Sequence, residues 1–118
     1  MKKYKMLKDD FIKLPSGEKA YRIEALMDFG SVKKGDKGGF VQNKYNLSHE
    51  GNAWIFGDAM VIENALVNGN ALVYDNARVS GKAWVTGDTV VCENARVSGN
   101  AWVSGNAVLD GNSWVSGR

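Results

Sequence analysis

From His49 onward an aliphatic residue returns at every sixth position, running from Ile55, Val61 and Val67 to Val103, Leu109 and Val115. Two places before each stands a small residue, Ala in most units, Thr89 and Ser113 in two of them. The stretch near the end reads VSGNAW, VSGNAV, LDGNSW, and earlier units such as IFGDAM, VIENAL and VYDNAR obey the same rule. Counting the aliphatic residue as position one, position three is mostly Gly and position four mostly Asn or Asp. Gly and Asn tolerate left-handed backbone, so positions three and four form a corner. Positions six, one and two then form a short strand whose middle side chain points inward and whose neighbours point outward.

A six-residue side cannot close on itself, but three sides make a triangular coil of 18 residues. Residues 49–118 supply almost four such coils, each rising about 4.8 Å at strand spacing. A fixed short period of this kind is the mark of a solenoid, in which each unit buries its apolar side only by stacking on its neighbours. The interior is expected to be ladders of Val, Ile and Leu with Ala near the corners. Each rung lost to a polar residue would cost about 1–3 kcal/mol. The corner Asn residues are expected to hydrogen-bond up and down the stack.

The hexads closely resemble the hexapeptide-repeat superfamily. That resemblance covers 49–118 and implies an all-β fold, a single-stranded left-handed parallel β-helix of about four triangular coils. The handedness comes from the resemblance alone, and it runs against the usual right-handed crossover. Gly at position three departs from the pattern of many members, which prefer a small residue at position two. The segment AYRIEALMDFGSVKKGDKGGFVQNKYNLSHEGNAW, residues 20–54, is similar to the head of the YdcK-like branch found in bacteria and their phages. Proteins of that branch are often labelled transferases on fold alone, and a fold does not make a site.

Residues 1–48 read as a cap on this single structural domain. Residues 4–26 are expected to form a hairpin turning at Pro15-Ser16-Gly17-Glu18, followed by an irregular first coil around Phe29, Val32, Phe40 and Val41. A solenoid end exposes unpaired strand edges, which the head would cover. At the other end, the strand edge is expected to be blunted by its shortness and Arg118, or covered by another subunit.

Composition and charge narrow the chemistry. The chain has 118 residues, 44% of them hydrophobic, and a net charge of +2. Ten Lys/Arg fall in residues 1–37 and five in 38–118, which is not the basic face or stripe of a nucleic-acid binder. One cysteine, Cys92, excludes an intrachain disulfide, and one histidine excludes a three-histidine zinc site. No cofactor or metal is expected. With neither a signal peptide nor an apolar run of membrane length, a cytoplasmic protein is the default. Two threonines, Thr86 and Thr89, are too few for an ice-binding surface.

Residues 18 apart share a face, so the exterior can be read directly. One face presents Trp54, Phe56, Leu72, Tyr74, Val90, Cys92 and Val108 outward and is apolar on both sides. Such a patch marks either a subunit or partner interface or a surface covered by the head hairpin. A second face carries Arg78 and Arg96, with Asp75 and Glu93 at the preceding corner. A solvated salt-bridge ladder is expected there, an anion site being the weaker alternative. A third face stacks Trp84 under Trp102, as a stabilising aromatic pair or an anchor for a partner.

The resemblance also implies an enzymatic alternative, a CoA-dependent acyltransferase in which His49 would be the base. His49 stands at position one of the first hexad, where a structural role is the simpler expectation. Overall the sequence points to a non-catalytic scaffold or protein-binding module acting through self-association as a homo-oligomer, or by docking on a protein partner. Nucleic acid and membrane are not expected partners. A phage-encoded inhibitor of a host defence system would be one such module.

Overall fold

The computed structural model describes residues 2–117; Met1 and Arg118, and with Arg118 the expectation placed on it, lie outside the described residues. The hexads fold into three columns of short parallel strands. The first column stacks β4 (Trp54–Ile55), β7 (Leu72–Val73), β10 (Val90–Val91) and β13 (Val108–Leu109). The second holds β5 (Met60–Val61), β8 (Arg78–Val79), β11 (Arg96–Ser98) and β14 (Trp114–Ser116). The third holds β6 (Leu66–Val67), β9 (Trp84–Val85) and β12 (Trp102–Val103). Within each column the pairing is parallel, and residues 18 apart are partners, as in Val73 with Val91. The chain is a β-solenoid of about four turns with an 18-residue coil.

The core is the expected pair of ladders. Position-one residues from Ile55 to Val97 and position-five alanines from Ala53 to Ala95 are fully or almost fully buried. Thr89 takes an alanine's place in the buried column, and its hydroxyl donates to the Thr86 carbonyl at 2.8 Å, so no polar atom is stranded.

The corners differ from expectation in one respect. All the left-handed residues of the repeat fall at position three, glycine in most units but Glu63, Asp75 and Glu93 at φ 61°, 61° and 58°. Position-four asparagines are not left-handed. Among the described residues of the repeat their side chains link only Asn52, Asn70 and Asp88, Asn52 N–H to Asn70 Oδ1 and Asn70 Nδ2 to Asp88 Oδ1 at 3.3 Å each, and the other corners stack through backbone bonds such as Asn76 N–H to the Glu93 carbonyl at 2.9 Å.

The head does form a hairpin, β1 (Tyr4–Lys13) with β2 (Lys19–Ala25), turning through Pro15–Glu18. It joins the second column. β2 pairs antiparallel with β3 (Lys37–Val41), and β3 pairs parallel with β5, giving one seven-stranded sheet. The first coil is longer than a regular one, since Phe40 partners Met60 and Leu47 bridges to Val67. Close approach requires glycine here: a Cβ on Gly38 would meet the Ile55 carbonyl oxygen, and one on Gly39 the Ala59 carbonyl oxygen. Among the described residues no helix is long and apolar enough to cross a membrane.

Candidate functional site

The first face is divided by the head. Trp54, expected outside, is 1% exposed. Its indole meets the edges of the Tyr4 ring at 6.2 Å and the Phe29 ring at 5.2 Å, so it belongs to the cap and cannot serve as an interface residue. Below it the face stays open. Phe56, Leu72 and Tyr74 line a groove of about 720 Å³, and Asp58, Asp75 and Glu93 line it beside them. Phe56 and Tyr74 meet edge to face at 6.3 Å. Cys92, also expected outward, is buried. The Tyr74 phenol is pushed above the ordinary tyrosine range, first by the Cys92 side chain beside it, then by desolvation and by the nearby carboxylates. Val90 is half-buried and Val108 exposed, and neither lines this groove.

On the third face Trp84 and Trp102 are partners in adjacent strands, 44% and 69% exposed. Their rings meet at 5.4 Å and 60°, edge toward face rather than flat. This is the favoured quadrupole geometry.

The second face overturns the expected ladder. Among the described residues one ion pair forms, Arg22 Nε with Asp10 at 3.2 Å, and neither Arg78 nor Arg96 takes part in one. The left-handed backbone at Asp75 and Glu93 is the reason. It turns the position-three side chain along the corner toward the next coil, where Asp75 Oδ2 accepts the Glu93 N–H at 3.2 Å. Glu63 does the same at another corner, accepting the Gly81 N–H at 2.7 Å. The Asp75 carboxylate serves the stack, and Asp75 and Glu93 line the first-face groove, leaving Arg78 and Arg96 without an ion pair among the described residues. A second groove of about 570 Å³ follows, in which these two residues are joined by Arg22 over a floor of Ile12, Phe40 and Met60.

His49 is half-buried under the hairpin. Its ring stacks on Tyr4 at 4.3 Å and 12°, and its Nδ1 accepts the Lys3 backbone N–H at 3.1 Å. Desolvation, then the charges of Lys3 and Lys2, lowers its pKa from the ordinary value. The neutral ring therefore carries its proton on Nε2. Lys3 itself is buried without a carboxylate. Its ammonium donates to the Ala53 carbonyl at 2.7 Å and lies 4.8 Å from the Phe29 ring centroid, and burial lowers its pKa to about 8. Tyr4 donates to the Leu47 carbonyl at 2.7 Å and is pushed up to about 12. Among the described residues no cluster of His, Cys, Asp and Glu could hold a metal ion.

Comparison with known families matches residues 71–87, 91–105 and 95–111 to the YdcK β-solenoid repeat. Within residues 71–111 the chain is similar to the YdcK β-solenoid repeat, and its structure there is a β-solenoid. No curated protein matches the chain. The matched residues include Leu72, Tyr74, Glu93, Arg78, Arg96 and both exposed Trp of the third face, whereas Phe56, Arg22 and His49 lie before them.

Three residues that position the head have no signal in the repeat. Lys3 lies in a run of lysines that reads as solvated, and Arg22 in an unremarkable strand. Asn46 is wholly buried, accepting from the Gln42 and Asn43 amides and donating to the Glu63 and Ala65 carbonyls. Its position just before Leu47, ahead of the matched residues, is the one available cue.

Proposed function

We propose that this protein is a non-catalytic cytoplasmic scaffold that works by presenting a binding surface to protein, either a second copy of itself or a partner. One observation carries the reading. The Phe56, Leu72 and Tyr74 groove stays open although the head has taken Trp54 away from the same face. An apolar floor beside polar groups is the anatomy of a protein interface, and the nearby Asp58, Asp75 and Glu93 favour a partner with basic side chains. A phage-encoded inhibitor of a host defence system is one module that such a groove would suit.

His49 offers little to acyl transfer. The nitrogen with a lone pair is occupied by the Lys3 amide, and the other carries a proton, so no free acceptor remains to take one from a hydroxyl or amine.

Light scattering on the parent and on the Phe56→Asp, Tyr74→Asp double variant tests the proposal, together with capture from host lysate. The parent is expected to exceed a monomer, or to retain a specific protein, and the variant to lose that association while keeping its melting transition. A double variant that associates like the parent would sink the reading, as would a parent that stays monomeric and captures nothing.

A further inference from the structure

We infer that the second-face groove is an oxyanion site for an organic phosphate monoester, its phosphate held by Arg78 and Arg96 and its apolar body lying toward Phe40. This goes beyond the protein-binding role, for it uses a different face across the corner and a different chemistry.

Arg78 and Arg96 are direct partners in adjacent coils. Their Cα atoms are thus one strand spacing apart, about 4.8 Å. Both are exposed, and no carboxylate among the described residues pairs with either. Two like charges carried on neighbouring strands repel each other, and the repulsion falls when a dianion lies between them. A phosphate monoester offers separate oxygens to each fork, whereas a lone carboxylate satisfies one.

The rest of the groove is built from fixed parts. Arg22 stacks on the Phe40 ring at 4.4 Å and donates to the Gly38 carbonyl at 2.8 Å, while Asp10 holds its Nε. Arg22, its charge balanced by Asp10, is thereby fixed at the head end of the groove with little rotamer freedom left to lose. Half-buried Ile12 presents an apolar surface beside it, with Phe40 and Met60 as the buried floor. Asn76 and Asn94 lie along the corner edge, and Asp58 is the one carboxylate in the lining. At about 570 Å³ the groove is far larger than a free phosphate, so the anion is expected to carry an apolar or aromatic group.

Phenyl phosphate is the probe, with inorganic phosphate and benzoate as comparison arms, followed by NMR titration of the full chain. Phenyl phosphate is expected to give saturable shifts at Arg78, Arg96 and Phe40 while Phe56 and Tyr74 stay still. Inorganic phosphate, lacking the ring, and benzoate, lacking the second charge, should each bind about tenfold more weakly. Arg78→Gln and Arg96→Gln should each weaken phenyl phosphate about tenfold, the worth of one charge-assisted hydrogen bond. Both side chains are exposed, so the variants should melt with the parent. The proposal fails if shifts do not saturate, if the Arg78→Gln, Arg96→Gln double variant binds like the parent, or if benzoate or inorganic phosphate binds as well as phenyl phosphate. A tighter fit to benzoate would make the groove a carboxylate site. None of these results bears on association through the first face, which Phe56→Asp reads separately.

Discussion

Trp54 and Trp114 hold the same place in their hexads and have opposite surroundings. Trp54 is 1% exposed beneath Tyr4 and Phe29, whereas Trp114 is 70% exposed, its indole donating to Ser98 Oγ at 3.3 Å. Both point out of their coils, since the repeat sets direction. Burial is set by what lies over the side chain. The inward ladder shows the same contrast, with Ile55 fully buried and Leu109 and Val115 only half so. In a stack held by nearest neighbours, identical units contribute unequally because they have unequal neighbours. The head is therefore part of the fold, and its partners should be far more sensitive to substitution than their counterparts in the last coil.

The largest expected difference follows from the two tryptophans. Trp54→Ala should cost about 3–5 kcal/mol, the range for emptying a buried aromatic site. Trp114→Ala should stay within about 1 kcal/mol, as an exposed position. Urea unfolding of both variants measures this, and equal losses would break the contrast between the two ends.

The buried charge of the head makes a second, pH-dependent difference. Burial lowers Lys3 from 10.5 to about 8, so its charged form is penalised on folding. Between those values the unfolded chain binds more protons. Stability should therefore rise from pH 8 toward 10.5, by roughly 2–3 kcal/mol. Tyr4 works in the opposite sense higher up. Its pKa is raised from 10.0 to about 12, so the folded chain keeps a proton that the unfolded chain loses, and stability should fall between those values. A maximum near pH 10 is expected in denaturant titrations, and Lys3→Met should remove the rising limb. A rising limb that survives in Lys3→Met would assign it elsewhere.

Glycines give a sharper test of head against body. Gly39→Ala drives a methyl into the Ala59 carbonyl and the Ile55 side chain, and overpacking of this kind costs roughly 1–3 kcal/mol. Gly105→Ala meets nothing within 4 Å but must hold φ +75°, a penalty of about 1–2 kcal/mol from backbone alone. Thermal melts should separate them, with Gly39→Ala the worse. The smallest effect belongs to the corners. Glu93→Gly relieves a left-handed residue and should stabilise by up to about 1 kcal/mol. Glu63→Gly should gain less, because Glu63 gives up its bond to the Gly81 amide. If Glu63→Gly stabilises more than Glu93→Gly, the carboxylate-to-amide link contributes nothing.

The inward columns were legible because each residue's neighbour in space is a fixed 18 residues away in sequence. The first-face groove was half legible for the same reason: Phe56, Leu72 and Tyr74 stack as the coil places them. Cys92 and Trp54 were misread because outward is not the same as exposed. The salt-bridge ladder failed on a finer point. Asp75 precedes Arg78 by three residues, which suggests proximity, but its positive φ turns the carboxylate along the corner instead. The asparagine column hydrogen-bonds through side chains only around Asn70 among the described residues of the repeat, and the left-handed turn falls one residue earlier than position four.

By itself the sequence determined the coil: its length, its strands, its small-and-aliphatic interior, and which residues share a face. Periodicity can carry that much because every contact in the stack repeats at one separation. Only the tertiary structure decided where the head rests, that Trp54 is buried, that His49 gives its lone pair to the Lys3 amide, and that Arg22 joins Arg78 and Arg96. Those contacts link segments with no common period, and they are settled by packing and backbone geometry that no repeat encodes.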